Sequence, residues 1–305
     1  MMYECRLPLA ESELAIMTSF PPCREALAQG KLVSAAELSD QRPTLVFLHG
    51  WHDNAASFTP LFEPLSAAFH LVSVDWPGHG LSEHRGTDNY YYFMDYVDDL
   101  AQIRQALAGQ SVILVGHSLG ALVAAAYAGA FPETLAGLVL IEGLAPLCEN
   151  AELAADRLRQ GIESRMKRRQ RVSKRLKLDS FQAALTVRCR INGLDAEQLR
   201  PLVQRATYRD GDHWYWRHDD KLRCDSLIRM TEMQAKTLMS GIACPVLSVL
   251  GERGFTYLKE PDAGLSWVPQ AAQITVPGGH HCHLESPRQV CEQILLFTSK
   301  IKKLV

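Results

Sequence analysis

The chain has 305 residues, 47% of them hydrophobic and 22% charged, with a formal net charge of -2. That length supports one sizeable core with an inserted lobe, and the near-neutral charge gives no electrostatic basis for nucleic acid as a partner. Eight scattered cysteines form no C-x-x-C pair, no apolar run approaches the ~20 residues a membrane helix needs, and residues 1–6 lack a signal-peptide pattern. These features predict reduced thiols, a cytoplasmic location and no membrane partner.

Residues 1–40 are weakly patterned, with Glu13-Leu14-Ala15-Ile16-Met17 as an early strand. Thr44-Leu45-Val46-Phe47-Leu48 is a continuous apolar run and predicts a strand buried on both faces. It ends in His49-Gly50-Trp51-His52-Asp53-Asn54. The His-x-x-His-Asp order suggests metal ligands, but it lacks the spacing of metal motifs and reads better as a loop shaping a pocket. A helix over about residues 58–69 leads to the strand Leu71-Val72-Ser73-Val74-Asp75 and the turn Trp76-Pro77-Gly78-His79-Gly80. Asp75 precedes the nucleophile described next and reads as tying down its own turn. Leu100, Ile103 and Leu107 then recur at helical spacing.

The most informative stretch is Gly116-His117-Ser118-Leu119-Gly120. It follows the β-branched run Ser111-Val112-Ile113-Leu114-Val115 and precedes an alanine-rich helix from Ala121 to Ala128. A G-x-S-x-G pentapeptide between strand and helix is the context of a nucleophile elbow, in which Ser118 is lifted clear of the sheet edge. The backbone N–H groups of Leu119, next to the nucleophile, and of Trp51, in the His-Gly turn, are the predicted oxyanion donors. Leu138-Val139-Leu140-Ile141 is a further buried strand and ends at Glu142.

Over residues 145–239 strand patterns give way to charged amphipathic helices, which predicts a helical cap inserted into a core formed by 1–144 and 240–305. Residues 165–177 carry eight basic side chains. Ile162/Met166 and Val172/Leu176 are spaced as an apolar stripe, so the stretch reads as a solvated helix face over a lid, with attraction of anionic substrates such as acyl-CoA thioesters as the weaker alternative. His213-Trp214-Tyr215-Trp216 reads as lid core or pocket wall. The α/β rhythm resumes with Pro245-Val246-Leu247-Ser248-Val249-Leu250 and with Gln273-Ile274-Thr275-Val276, and a terminal helix runs from Pro287 to about Ser299.

Over residues 44–300 the chain resembles the α/β-hydrolase fold family, and within it the serine hydrolase-like (kraken-type) proteins. The likeness rests on His49-Gly50-Trp51 with Asp53-Asn54-Ala55, on Pro77-Gly78-His79-Gly80-Leu81-Ser82, and on Val276-Pro277-Gly278-Gly279-His280 with His283. It implies a mostly parallel central sheet covered by helices on both faces, a Ser–His–acid hydrolase, no cofactor, and a small-molecule substrate.

Ser118 as nucleophile requires a base, and His280 fits best: it follows the last strand's Gly-Gly turn and matches the family's Gly-His-x-x-His-x-Glu. His281 is the alternative base. His280-His281-Cys282-His283 has the composition of a zinc site, but four consecutive residues cannot all reach one tetrahedral ion. The family's usual acid is an aspartate after the strand ending at Leu250, where this chain has Gly254. Glu142 is the favoured substitute, since it keeps the order Ser…Asp/Glu…His; Glu252 is the second candidate. The expected reaction is hydrolysis of a small or medium carboxylic ester or thioester. Carbon–carbon bond hydrolysis, acyl transfer or a ligand sensor with a slow site are the alternatives; aspartate-nucleophile chemistry is disfavoured by Ser118.

Overall fold

The computed structural model describes residues 1–34, 40–170, 177–260, 264–268 and 270–301. In chain order, β1 (Tyr3–Pro8), β2 (Glu13–Thr18) and α1 (Arg24–Ala28) precede the alternating core. That core begins with β3 (Thr44–Leu48), α2 (Thr59–Leu65), β4 (His70–Val74) and α3 (Phe93–Ala106). It continues with β5 (Val112–His117), α4 (Leu119–Ala130) and β6 (Gly137–Ile141). After an excursion of four helices and a hairpin, β9 (Val246–Gly251), β10 (Ala271–Val276), the short α9 (Cys282–Glu285) and α10 (Pro287–Thr298) complete the chain.

The eight-stranded sheet has the order β1-β2-β4-β3-β5-β6-β9-β10. The pairs β1–β2 and β2–β4 are antiparallel and all others parallel. Side-chain alternation divides each central strand between two cores. Val112 and Leu114 of β5 join Val46, Leu48, Leu138 and Leu140 on one face, with Leu100 and Ile103 of α3 and Ala124 and Ala128 of α4. Ile113 and Val115 join Leu45, Phe47, Val139 and Ile141 on the other, with Leu61 and Leu65 of α2 and Val290 and Ile294 of α10. A sheet buried on both faces is therefore encoded as continuous apolar runs.

Between β6 and β9 lie α5 (Ala154–Gln170), α6 (Phe181–Asn192), α7 (Ala196–Ala206) and α8 (Glu232–Ser240), with a hairpin of β7 (Thr207–Asp210) and β8 (His213–Trp216). Sequence analysis predicted helices alone here. The aromatic run 213–216 instead pairs antiparallel with 207–210 around Gly211, whose φ of 58° makes the turn. Leu185, Leu199, Leu202 and Val203 form a separate apolar cluster that closes on Leu284. In α5, Ile162 and Met166 are 43% and 46% exposed, so they do not form a buried stripe; Val172 and Leu176 lie outside the described residues. Arg165 stacks its guanidinium over Tyr90 at 3.9 Å, which ties the start of the basic stretch to the core rather than leaving it wholly solvated. The N-terminal segment contains two strands where sequence analysis recognised one. The polar-alternating β1 is an edge strand and carries too few apolar residues to signal itself.

Candidate active site

The C-terminal ends of β3, β5, β6 and β10 converge, as expected for an open α/β sheet with its site beyond the strand ends. At the end of β5 the backbone turns sharply, and Ser118 has φ 50° and ψ -119°. Such a left-handed, non-glycine residue is strained and persists only where its surroundings enforce it. Ser118 N–H donates to the Ile141 carbonyl at 2.9 Å, which fastens the corner to β6. Gly120 permits the close approach of α4: a Cβ there would collide with the Leu48 carbonyl of β3.

Behind the predicted base stands Glu142, which is 1% exposed and has φ 49°. Its Oε1 accepts Gly251 N–H at 2.7 Å and its Oε2 accepts Phe255 N–H at 3.0 Å. The same Oε2 lies 3.4 Å from His280 Nδ1. A Cβ at position 254 would strike this carboxylate. The glycine in the family's aspartate position is thus the space Glu142 fills. Glu252 is exposed, and its side chain makes no hydrogen bond to His280.

The loop bearing His280 is fixed from several sides. Glu285 accepts Gly279 N–H and pairs with Arg253 at 2.7 Å, and His283 Nε2 meets Ser57 Oγ at 2.8 Å. His283 is fully buried; burial and neighbouring His281 lower its pKa to about 3, so it is a neutral hydrogen-bonding residue. Cys282 is buried too, and its thiol is pushed up to about 12 by burial and the nearby carboxylates. Neither His283 nor Cys282 belongs to the grouping of close ligand atoms found among the described residues.

At the end of β3, His49 Nε2 accepts Trp76 N–H at 3.0 Å, so its Nδ1–H donates to the Gly50 carbonyl at 2.7 Å. In a trans peptide the following N–H points the opposite way from that carbonyl. His49 thereby orients the N–H of Trp51, and being so engaged it ligates nothing. Among the described residues neither Trp51 N–H nor Leu119 N–H has a backbone acceptor. Asp75 accepts Ala55 N–H and Leu81 N–H, each at 2.7 Å, and the Arg205 guanidinium at 2.8 Å, so it holds the adjacent turns as expected.

A cavity of about 550 Å³ opens onto this crest. Ser118 and His280 line it from the core, and Arg188, Ile191, Asn192 and Trp216 line it from the excursion between β6 and β9. His52 and His218 face each other in its wall with ring centroids 4.8 Å apart. Burial lowers their pKa values to about 4 and 3, with Arg188 and Arg223 contributing to both, so both are neutral at pH 7.

One grouping escaped the sequence. Asp53, His117 and His281 bring one ligand atom each within 4.8 Å of one another. Asp53 follows β3, His117 ends β5 and His281 follows β10, so no linear spacing could have revealed them.

A family model described as the alpha/beta hydrolase fold matches residues 43–187. The chain belongs to the α/β-hydrolase family. It is 28% identical over 268 residues to a serine hydrolase-like protein of Danio rerio, covering 85% of this chain and 82% of that one. Among solved structures, a hypothetical protein of Pseudomonas aeruginosa is 31% identical, with a TM-score of 0.83 over 97% of this chain and 99% of the other. The thioesterase domain of a curacin biosynthetic pathway shares the fold, with a TM-score of 0.79 at 21% identity over 97% and 99% of the two chains. No helix among the described residues of this α/β-hydrolase is long and apolar enough to cross a membrane.

Proposed function

We propose that this α/β-hydrolase cleaves small or medium carboxylic esters or thioesters through an acyl-enzyme. The observation that carries the reading is His280, which shares a cavity with Ser118 while its Nδ1 faces the buried Glu142 carboxylate at 3.4 Å. Glu142 holds the proton on Nδ1, leaving Nε2 free to accept the Ser118 hydroxyl proton. Ser118 Oγ attacks the carbonyl carbon, and the negative oxygen is held by the N–H groups of Trp51 and Leu119, which have no backbone acceptor among the described residues. Collapse expels the alcohol or thiol with the proton from His280. Water, deprotonated by His280, then releases the acid and restores Ser118. Residues 145–239 act as the cap, since their side chains close one side of the cavity. Eight cysteines outside any disulfide fit work in the reducing cytoplasm.

The test is turnover of p-nitrophenyl esters from acetate to octanoate, and of an acyl thioester, by the wild type and Ser118→Ala. The expected outcome is turnover that disappears in Ser118→Ala, with a chain-length optimum set by the cavity. Equal rates for both proteins on every substrate would refute the reading.

A further inference from the structure

We infer that Asp53, His117 and His281 form a binding site for one divalent transition-metal ion of the zinc type, and that the ion, when bound, blocks the adjoining Ser118. The argument begins with His117. Its Nε2 lies 2.8 Å from the His280 carbonyl, which only accepts, so this nitrogen carries the proton. Nδ1 therefore presents a lone pair, and it is buried without a hydrogen-bond partner among the described residues. It faces Asp53 Oδ2 at 3.6 Å. A carboxylate oxygen and an imidazole lone pair aimed at each other in a buried place call for a cation between them.

His281 completes the set, with Nε2 3.3 Å from Asp53 Oδ2. Ligand atoms on a tetrahedral ion with bonds of ~2.0–2.1 Å are separated by roughly 3.3 Å, close to both measured separations. Two imidazoles and a carboxylate are the donors of zinc, cobalt and nickel rather than of magnesium or calcium. Arg188 donates to Asp53 Oδ1 at 2.6 Å, which leaves Oδ2 for the ion but places a positive charge nearby. Asn192 Nδ2 lies 3.0 Å from His281 Nε2 and competes for its lone pair, so the carboxamide must move aside on binding. All three ligands line the cavity that contains Ser118 and His280, so an ion held by them sits beside Ser118 in the same cavity.

The experiment is a Co²⁺ titration of the chelator-treated full-length chain, followed by visible absorption. Performing it on Ser118→Ala separates binding from the hydrolase reading, on which the blocking effect rests. The expected result is a tetrahedral d–d band saturating at one ion per chain, without the thiolate charge-transfer band that the cysteines would give. Asp53→Asn and His281→Ala, each with a cooperative melt, are expected to weaken binding by about 100-fold or more. Loss of ester turnover by the wild type at the Zn²⁺ concentration that displaces Co²⁺ supports the blocking effect. Absence of a saturable band, a thiolate band, or a band retained in both variants would overturn the site. Saturation with undiminished wild-type turnover would overturn the blocking effect.

Discussion

Glu142→Gln tests the proposed acid with almost no change of volume. Three groups converge on the two oxygens: Gly251 N–H at 2.7 Å, Phe255 N–H at 3.0 Å and His280 Nδ1 at 3.4 Å. A carboxamide has one oxygen and one NH₂, so either orientation leaves a conflict. With NH₂ toward His280, Nδ1 must accept, the proton moves to Nε2, and the base cannot take the Ser118 proton. That wrong tautomer costs about 10⁴-fold in related Ser–His–Asp sites. With NH₂ toward Gly251, a buried N–H loses its acceptor at a cost of about 1–3 kcal/mol. The expected result is a kcat/KM lower by about 10³–10⁴-fold on a p-nitrophenyl ester, with a melting midpoint below that of the wild type. Glu252→Gln, at an exposed side chain, is the control and is expected to retain wild-type turnover. If Glu142→Gln keeps kcat/KM within about tenfold of wild type while losing stability, Glu142 is only a strand-end tie and the reasoning fails.

The space beside Glu142 makes a relocation test possible: Glu142→Gly should abolish most turnover, and adding Gly254→Asp should recover at least about tenfold of it. No recovery in a well-folded double variant would mean that the two positions do not serve one carboxylate place. Gly120→Ala forces a methyl into the Leu48 carbonyl; because backbone must move, a loss of about 3 kcal/mol or more in denaturant unfolding is expected, and a loss under about 1 kcal/mol would refute the close approach. Burial raises the Asp99 carboxyl to about 6 even though Arg85 pairs with it at 2.6 Å. The folded chain thus holds this proton more tightly than the unfolded chain, whose carboxyl titrates near ~3.9. The resulting cost is absent below that value and complete above about pH 6. Between pH 7 and pH 5 the wild type should therefore gain about 1 kcal/mol relative to Asp99→Asn in urea unfolding, and a gap that widens in the opposite direction would refute the assignment.

The central sheet was legible because strands buried on both faces need runs of apolar residues, as in 45–48 of β3, 112–115 of β5 and 138–141 of β6. The elbow was legible for a related reason. Its serine and glycines obey backbone sterics at a single corner, so the signal is contiguous. The hairpin at 207–216 was not legible, because four intermediate-burial aromatics carry neither a period of two nor a helical one. The half-exposed Ile162 and Met166 show the converse: helical spacing identifies a face of α5 but not what covers it. The facing of Asp53, His117 and His281 depends on two loops and the end of β5, far apart in the chain, and could come only from the fold.

The carboxylate facing His280 illustrates how far a strand-end site constrains its residues. β6 and β9 are adjacent and parallel, so Glu142 and the loop after Gly251 emerge side by side at the same edge. Glu142 N–H donates to the Val249 carbonyl at 3.0 Å, which locks the residue against β9 before its side chain begins. From there the carboxylate reaches into the loop that starts at Gly251. The N–H groups of Gly251 and Phe255, which frame that loop, hold the charge without desolvating it unpaired. An aspartate at position 254 would approach the same place from the opposite side, and a Cβ there already meets the Glu142 carboxylate. On the proposed reading the two positions would be alternative supports for one charge, which the relocation of the carboxylate to position 254 tests; the chain carries a carboxylate at one and a hydrogen atom at the other. In this chain the carboxylate that faces His280 is delivered by the strand end of β6 and framed by the backbone donors of the neighbouring loop.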